Sequence, residues 1–359
     1  MTKKILILGG YGNCGRRIAE ILAQDPDTEC VIGGRDVRRG QVVAAELKVP
    51  FVAVDASRLT SLNAALDGVF AVVNACGPFQ AHDYGVAERC ARRGVHYVDM
   101  ANEWSYIQGI QGLTARAREG GATLVSGAGC ALTFSSALVA AVSDAFDTIE
   151  KIEVAVLSGN RIPHGPASVR ALLLAQGRRV RIRVGDEWRE VPGFTQGRTV
   201  VLPKPFGRHR LYMTDAPEVD VLAKRYDATV TYRTGFELSF LNRGHAWLGV
   251  LHRWGVLADP TRYARGLYAI QKSLRRFGQA SFGLSVVLHG QHKGQSIVRR
   301  AGLVSQNDGF SVQCAPAVAL VRKWLAGGAT PGAFSCDSVL TFQDMMQELK
   351  MRHVVLQLS

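Results

Sequence analysis

The chain has 359 residues, 47% of them hydrophobic and 20% charged, so it can fill the cores of two folded domains. Its apolar runs fall far short of the ~18 residues of a membrane span, and the run after Met1 is too short for a signal peptide. These features predict a cytoplasmic protein without a transmembrane segment. The net charge of +13 suits nucleic acid, an anionic membrane surface, or a phosphorylated cofactor and carboxylate substrate. The basic residues form no nucleic-acid motif, so no nucleic-acid partner is expected.

The seven cysteines are dispersed, odd in number and free of any CxxC pair. This spacing argues against a disulfide framework and against a structural zinc. His289 and His292 are close in sequence, but no HExxH motif or Cys/His cluster accompanies them. The sequence therefore predicts no metal site.

The first 130 residues repeat one unit, in which a short aliphatic run is followed by a turn and an amphipathic stretch. Strands are predicted at residues 4–8, 29–33, 51–54, 71–74, 96–99 and 123–126. Helices are predicted at residues 15–24, 37–47, 59–66, 85–93 and 106–119. Alternating β and α elements with nearly continuous apolar strands are typical of a parallel sheet covered on both faces. The predicted fold class is α/β, a Rossmann doubly wound parallel sheet.

After about residue 130 the pattern changes. A helix at 134–142 precedes period-two segments at 151–156, 180–184, 229–232 and 284–288, which favour a second α+β domain built on a mixed or antiparallel sheet. Helices are predicted at 316–325, with Pro316 at the start, and at 342–350. The predicted domains are 1–130 for the dinucleotide, 131–334 for substrate and dimerisation, and 335–359, a C-terminal helix and strand packing back on the first domain.

The sharpest motif is Gly10-Tyr11-Gly12-Asn13-Cys14-Gly15, which lies between the first strand and an amphipathic helix. In the dinucleotide fingerprint, Gly10 allows the tight turn and Gly12 lets the backbone approach a pyrophosphate. Gly15 lets the helix pack closely on the strand, while the helix N-terminus faces the phosphates. The predicted contacts of the cofactor here are Gly10, Gly12, Asn13, Cys14 and Gly15.

The second strand ends in Gly33-Gly34-Arg35, and the residue at its tip selects the nicotinamide cofactor. An acidic residue there would bind the 2'-hydroxyl of NAD, whereas Arg35 can pair with a 2'-phosphate. NADP is therefore the predicted cofactor, with Gly34 and Arg35 among its contacts. Asp36 follows directly and leaves NAD as the less favoured alternative.

Two further strand ends carry candidate cofactor contacts. Asp55 follows the third strand and is assigned to the adenine end of the cofactor. Ala75, Cys76 and Gly77 follow the fourth strand, where the turn either lies over the pyrophosphate or nicotinamide ribose or is an ordinary βα loop.

The residues beyond this point resemble those of the saccharopine dehydrogenase-like oxidoreductases. The resemblance is carried by Gly77-Pro78-Phe79-Gln80, Tyr84 to Cys90, His96-Tyr97-Val98-Asp99 with Glu103, Gly127-Ala128-Gly129-Cys130, Ala167-Ser168-Val169, Pro203 to Gly207, and Gly290 to Gly294 with Arg299 to Leu303. It covers nearly the whole chain. The family includes amino-acid C=N reductases, lysine dehydrogenases, polyamine-forming enzymes and lipid enoyl reductases, so the substrate stays open.

The resemblance implies an NADP(H)-dependent oxidoreductase that transfers hydride at a C=N or CH–N bond of an amino-acid-like, anionic small molecule. Asp99, at the tip of the fifth strand, falls where the family places substrate-facing residues, and it is the candidate catalytic residue. It either orients or protonates an amine or caps the next helix. Tyr97 and Glu103 share its neighbourhood. Candidate cations for a substrate carboxylate are Arg208, Arg210 and Arg233.

Two alternatives remain. One is a C=C (enoyl) reductase acting on a lipid or polyketide-like substrate, and the other is a non-catalytic NADP(H)-binding sensor. The apolar stretch at 236–257, with Trp247 and Trp254, is interpreted as core, as a contact of an expected homodimer, as the lining of an apolar pocket or as a membrane-facing surface.

Overall fold

The computed structural model describes residues 2–77, 79, 83–129, 131–163, 165, 169, 170, 173, 179–184, 187–254, 260–350 and 354–359. Five residues that carry the family resemblance lie outside the described residues, namely Pro78, Gln80, Cys130, Ala167 and Ser168. The last three residues of the apolar stretch at 236–257 also lie outside them.

The N-terminal part alternates strands and helices. In chain order it contains β1 (Lys3–Leu8), α1 (Asn13–Leu22), β2 (Thr28–Gly34), α2 (Val37–Leu47), β3 (Phe51–Ala53), α3 (Leu59–Ala65), β4 (Val69–Asn74), α4 (Gly85–Arg92), β5 (His96–Asp99), α5 (Trp104–Gly109), a 3-10 turn (Ile110–Leu113), α6 (Thr114–Glu119) and β6 (Thr123–Ser126). The six predicted strands are confirmed, and β5 and β6 have the predicted bounds. The long helix predicted at 106–119 is divided by the 3-10 turn.

The remaining elements begin with α7 (Leu132–Ser143). They continue with β7 (Thr148–Ser158), β8 (Arg179–Val184), β9 (Glu187–Pro192), β10 (Arg198–Leu202), β11 (Gly207–Met213), α8 (Pro217–Tyr226), β12 (Thr229–Phe236), α9 (Ser239–Arg253), a 3-10 turn (Pro260–Tyr263), α10 (Ala264–Leu274), β13 (Phe282–His292), β14 (Gln295–Ser305), α11 (Gly309–Leu325), β15 (Gly332–Ser335), α12 (Cys336–Val339), α13 (Phe342–Lys350) and β16 (Val354–Leu358).

The chain divides into two compact units. The first contains Met1–Thr133 and Gln313–Glu348, and the second contains Phe134–Val312 and Leu349–Ser359. Residues 313–334, predicted in the second domain, thus cluster with the first unit. The reason is β15, which pairs in parallel with β6 of the first sheet.

The first unit is built on a seven-stranded parallel sheet in the order β15-β6-β5-β4-β1-β2-β3. β1 lies between β2 and β4, so the chain reverses its direction of winding there. Ligands of doubly wound sheets bind beyond the carboxyl ends of the strands at this switch point. Residues Ile5 to Leu8 are almost completely buried, because a central strand is covered on both faces.

The second unit is built on a mixed sheet in the order β10-β11-β12-β7-β13-β14-β16, with a separate β8-β9 hairpin. β12 pairs with β7 in parallel, while the other neighbours are antiparallel. Together the two sheets confirm the predicted fold class, an α/β Rossmann sheet with a second domain on a mixed sheet.

One helix start is corrected by the structure. The helix predicted to begin at Pro316 begins seven residues earlier, at Gly309, and Pro316 lies inside it. The Asp308 carboxylate accepts a hydrogen bond of 3.3 Å from the Ser311 backbone N–H, which satisfies one donor of the first turn.

Candidate cofactor site

The glycine turn joins β1 to α1 at the switch point. Gly9 has a φ of +73°, and the Gly12 N–H donates a hydrogen bond of 2.8 Å to the Gly9 carbonyl. The left-handed residue of the turn is therefore Gly9, one residue before Gly10. Gly12 is the N-cap of α1 in extended conformation, and no side chain caps the helix. The first turn of α1 contains no acidic side chain. Its backbone amides and the positive end of the helix dipole therefore favour the binding of an anion at this N-terminus.

Close packing explains two other glycines of the turn. A Cβ on Gly10 would overlap the Ile32 side chain of β2, and a Cβ on Gly15 would overlap the Gly9 carbonyl. Gly15 thus lets α1 approach the turn closely. A Cβ on Gly12 would lie 3.1 Å from the Gly9 oxygen, so this position is tight without a direct overlap.

The remaining predicted contacts of the turn are Asn13 and Cys14, the first two residues of α1. Asn13 is exposed and Cys14 is half-buried. The Cys14 carbonyl lies 4.0 Å from the Cys314 thiol of α11, within the same unit. The N-terminus of α1 is therefore packed on its inner side and open on its outer side.

The turn after β4 lies directly against the glycine turn. A Cβ on Gly9 would lie 3.1 Å from both the Ala75 carbonyl oxygen and the Cys76 Sγ. The Ala75 N–H donates to the Leu8 carbonyl at 2.9 Å, so this turn continues the pairing of β4 with β1. Burial raises the pKa of the Cys76 thiol to about 11, which keeps it neutral.

A buried polar chain holds the turn after β4. The Asn74 Oδ1 accepts a hydrogen bond of 3.1 Å from the Cys76 N–H, and the Asn74 Nδ2 donates to the Tyr97 hydroxyl at 3.1 Å. Asn74 is 3% exposed and Tyr97 is completely buried. Asn74 was not among the predicted cofactor contacts, although an asparagine at the end of an apolar strand was the available signal.

Tyr11, which was not among the predicted cofactor contacts, packs against the tip of β2. The Tyr11 ring packs against Gly34, where a Cβ would overlap it. The Tyr11 hydroxyl accepts a hydrogen bond of 3.1 Å from the Asp36 N–H, and the Arg39 guanidinium lies 5.5 Å from the ring centroid. The absence of a side chain at Gly34 therefore lets the Tyr11 ring pack on the backbone of β2. The ring lies beside the glycine turn.

Arg35 and Asp36 have different environments. Arg35 is exposed, and its charge lowers the pKa of Asp55 and counteracts the raised pKa of Cys76. Arg35 therefore lies near the ends of β3 and β4, on the solvent-exposed side of the tip of β2. Asp36 is the N-cap of α2, and its carboxylate accepts a hydrogen bond of 3.0 Å from the Arg39 N–H.

The Asp55 side chain is held by hydrogen bonds from Ser57, within its own turn. One carboxylate oxygen accepts hydrogen bonds from the Ser57 N–H at 3.0 Å and from the Ser57 hydroxyl at 2.7 Å. The hydrogen bonds from Ser57 lower the pKa of Asp55, followed by the charges of Arg35 and Arg58. Asp55 is thus an ionised carboxylate at the end of β3.

Asp99 is closed to solvent in this structure. Its side chain is 0% exposed, and its Oδ1 accepts hydrogen bonds from the Ala101 N–H, the Gly127 N–H and the Ser126 hydroxyl at 2.9–3.0 Å. Burial raises the pKa of Asp99 to about 6. Of the two predicted interpretations, this geometry favours a structural role that joins the ends of β5 and β6.

The neighbours of Asp99 are also structural. Tyr97 is buried within the first unit, and Glu103 is half-buried at the N-cap of α5 without a capping side-chain hydrogen bond. Tyr84 and Tyr106 stack with ring centroids 4.7 Å apart, and the Tyr84 hydroxyl donates to the Tyr106 carbonyl at 2.7 Å.

The candidate substrate cations lie in the second unit. Arg208 and Arg210 are exposed on β11, whereas Arg233 on β12 is buried.

Among the described residues, no group of three or more His, Cys, Asp or Glu side chains comes together as a metal site. His289 contacts Glu153 at 3.3 Å, and His292 contacts Asp147 at 3.6 Å.

The apolar stretch after β12 has two environments. Trp247 and Trp254 are 65% and 71% exposed, whereas Phe236, Leu241 and His245 line a cavity of about 210 Å³ inside the second unit. The His245 and Phe236 rings stack with centroids 4.5 Å apart, and burial lowers the pKa of His245 to about 4. In the part of the chain that the structure describes, no helix is both long and apolar enough to span a membrane.

Comparison with known proteins supports the interpretation of the first unit. Residues 5–125 match the model of the saccharopine dehydrogenase NADP binding domain. The fold resembles that of apo saccharopine dehydrogenase (L-Glu forming) from Saccharomyces cerevisiae, with a TM-score of 0.71, 15% sequence identity and coverage of 99% of this chain and 100% of that chain. C. glutamicum DAP dehydrogenase matches with a TM-score of 0.48 and 14% identity, covering 98% of this chain and 100% of that chain. No curated protein sequence matches the chain.

The doubly wound sheet, the glycine turn at its switch point and the matched residues identify the first unit as an NADP-binding domain. The match of residues 5–125 to the saccharopine dehydrogenase NADP binding domain confirms the predicted resemblance over those residues. The residues present also fit the cofactor, because the turn is too tight for Cβ atoms at Gly10 and Gly15 and the N-terminus of α1 has no side-chain cap.

Proposed function

We propose that the protein transfers hydride between NADP(H) and a C=N or CH–N bond of a small, anionic, amino-acid-like substrate. The observation that carries the proposal is the uncapped N-terminus of α1 at the switch point, with Arg35 on the open side of β2. The full-length likeness of fold to a saccharopine dehydrogenase supports the choice of substrate bond.

In this proposal, the backbone amides at Gly12, Asn13 and Cys14 bind the pyrophosphate, and Gly10 and Gly15 keep the turn compact. Arg35 pairs with the 2'-phosphate, with Gly34 and Tyr11 forming the surface beneath it. Asp55 contacts the adenine end, while the Ala75, Cys76 and Gly77 turn borders the pyrophosphate or nicotinamide ribose. When bound, NADP(H) supplies the hydride chemistry.

Asp99 has a positioning role in this account. Its three accepted hydrogen bonds fix the backbone at Ala101 and Gly127, beside the strand ends that border the site. Asp99 was predicted either to orient or protonate an amine or to cap the next helix, and we interpret it as a positioning residue.

The activity test is NADPH oxidation, followed at 340 nm, in the presence of a panel of acceptors. We expect oxidation when a 2-oxo acid and an amino acid are supplied together, and none with either alone. The Gly15→Ala variant is the control for contaminating activity. Oxidation only by the pair in the wild type supports the proposal, whereas oxidation only by an unsaturated acyl thioester contradicts the assigned bond.

The enoyl reductase is the second candidate, and one observation favours it. The cavity beside His245 is lined mostly by apolar side chains, which suits an acyl chain better than an amino acid. Tight NADPH binding without oxidation by any acceptor would instead favour the sensor.

We also propose that the protein acts in the cytoplasm as a homodimer. The six described cysteines, Cys14, Cys30, Cys76, Cys90, Cys314 and Cys336, are free thiols, which suits a reducing compartment. Sedimentation at micromolar concentration tests the dimer, and a mass near the 38.9 kDa of one chain would contradict it.

A further inference from the structure

The second sheet has a charged face. Of its residues only Arg233 was predicted to bind a substrate carboxylate, and the proposed function assigns no role to it. On β7, residues Lys151, Glu153 and Ala155 alternate with residues of the opposite face, and they pair with His289, Val287 and Ser285 of β13. The edge strand β10 contacts β13, although three strands separate them in the sheet. The sheet therefore curls over this face.

A cavity of about 600 Å³ lies within the curl. Its charged and histidine lining consists of Lys151, Glu153, Arg198, Arg233, His289 and Arg300. Four of these side chains are lysine or arginine, and one is a carboxylate. Small-molecule sites are commonly concave regions of this size with a few convergent polar groups.

The only acidic side chain among the described lining residues is already engaged. Glu153 contacts Lys151 at 2.7 Å, Arg198 at 3.1 Å and His289 at 3.3 Å. Among the described residues, no ion pair within 4.0 Å involves Arg233 or Arg300. Burial lowers the pKa of Arg233, and the more distant charge of Glu153 acts in the opposite direction. The cavity therefore has a surplus of positive charge that its own acidic residue does not neutralise.

Arg233 is the deepest of these cations. It is 7% exposed, and one terminal NH group donates to the Thr231 hydroxyl at 3.0 Å. Its Nε is buried and has no hydrogen-bond partner. A buried guanidinium with an unsatisfied donor is costly, and an anion that accepts from it removes much of that cost. The planar guanidinium favours carboxylate and phosphate oxygens in particular.

We propose that this cavity is a second ligand site, which binds a small anion through carboxylate or phosphate oxygens, with Arg233 as its main contact. Arg198 and Arg300 add positive charge around the same cavity. The site lies entirely within the second unit and does not depend on the proposed hydride transfer.

The test is isothermal titration of the full chain with inorganic phosphate and, separately, with succinate. We expect at least one probe to bind the wild type and to bind Arg233→Gln at least tenfold more weakly. The matched control is Arg299→Gln, an exposed arginine beside Arg300 on β14 that does not line the cavity. This control should bind as the wild type does. Phosphate binding alone identifies a phosphate ligand, and succinate binding alone a carboxylate ligand.

Absence of binding by both probes, or equal binding by Arg233→Gln, would overturn the proposal. If Arg233→Gln does not fold, Arg300→Gln tests the same cavity from an exposed position, with the same expected loss and the same contradicting result. NADPH titration of each folded variant should match the wild type. Loss of anion binding with unchanged NADPH binding separates this site from the cofactor site.

Discussion

Two adjacent residues at the end of β2 carry the argument about cofactor preference. Asp36 is the acidic residue that would bind the ribose of NAD, but its carboxylate caps α2 through the Arg39 N–H. Arg35 is exposed and close enough to Asp55 to lower its pKa. The cationic side chain is therefore available to a 2'-phosphate, while the acidic one already has a structural role.

The first prediction concerns Arg35. Arg35→Asp should weaken NADPH binding relative to NADH by roughly 1–3 kcal/mol, because a charge-assisted contact to the 2'-phosphate is lost. The measurement is the ratio of the two Kd values by fluorescence titration. Arg38→Asp, which makes the same charge change at an exposed position of α2, is the control. An unchanged ratio in Arg35→Asp would remove the argument for NADP.

The second prediction concerns the pH dependence of stability. Burial raises the pKa of Asp99 from 3.8 to about 6, so between these values the folded protein binds the proton more tightly than the unfolded chain. The stabilisation that proton binding by Asp99 contributes to the folded state is complete below pH 3.8 and is lost as the pH rises through about 6. The substituted side chain of the Asp99→Asn variant stays neutral at every pH. The free energy of unfolding of Asp99→Asn, taken relative to that of the wild type, should therefore rise by about 2–3 kcal/mol as the pH increases from 4 to 7.

Urea denaturation at several pH values measures this difference. Asp67→Asn is the matched control, because the Asp67 side chain is 73% exposed and its pairing with Arg93 is on the surface. A wild-type-minus-variant difference that is constant with pH would contradict a raised pKa at Asp99.

At the scale of elements, the junction of β1 and α1 depends on the absence of side chains. The third prediction is that Gly15→Ala lowers affinity for NADPH at least tenfold, because its Cβ would overlap the Gly9 carbonyl and displace the turn. The matched control is Gly244→Ala in α9, where a Cβ meets nothing within 4 Å. The control should bind NADPH normally and gain up to about 1 kcal/mol in stability. Normal NADPH binding by Gly15→Ala would show that the turn does not hold the cofactor.

The elements of the first 130 residues could be predicted because each apolar strand is separated by a turn from an amphipathic helix. The bounds of α2, β5 and β6 agree with the prediction for this reason. β15 has only four residues and is specified by pairing with β6, far away in sequence, so no local pattern indicates it. Pro316 suggested a helix start, but the buried segment before it extends the helix to Gly309.

The candidate site was only partly predictable. The glycine spacing identifies the turn because sterics at Gly10 and Gly15 are local. The packing of Tyr11 on Gly34 and the burial of Asp99 depend on contacts between separate strands. The sequence also could not distinguish buried Arg233 from exposed Arg208, because the curl of the second sheet decides their environments.

At the scale of the whole molecule, the chain returns to the first unit after forming most of the second. Arg322 of α11 stabilises this return within the first unit. It donates to both carboxylate oxygens of Asp25 at 2.8 and 2.9 Å and to Glu348 of α13 at 2.6 Å. The hydrogen bond that Arg322 donates to Asp25 is the main cause that raises the pKa of Arg322.

The fourth prediction is that Arg322→Met costs about 3–5 kcal/mol in free energy of unfolding. The reason is that Glu348, which is 3% exposed, would lose its cationic partner while still buried. Arg92→Met is the control, because Arg92 pairs with Glu88 on the surface and should cost less than about 1 kcal/mol. Urea denaturation compares the two variants, and similar losses in both would contradict the structural role of the buried pair.

The central claim is that the turn between β1 and α1 holds a nicotinamide dinucleotide with a 2'-phosphate. The most direct measurement is equilibrium titration of the purified full chain with NADPH and with NADH under the same ionic conditions. The account predicts saturable binding of both at one site per chain, with a lower Kd for NADPH. Tighter binding of NADH, or no binding of either dinucleotide, would contradict it.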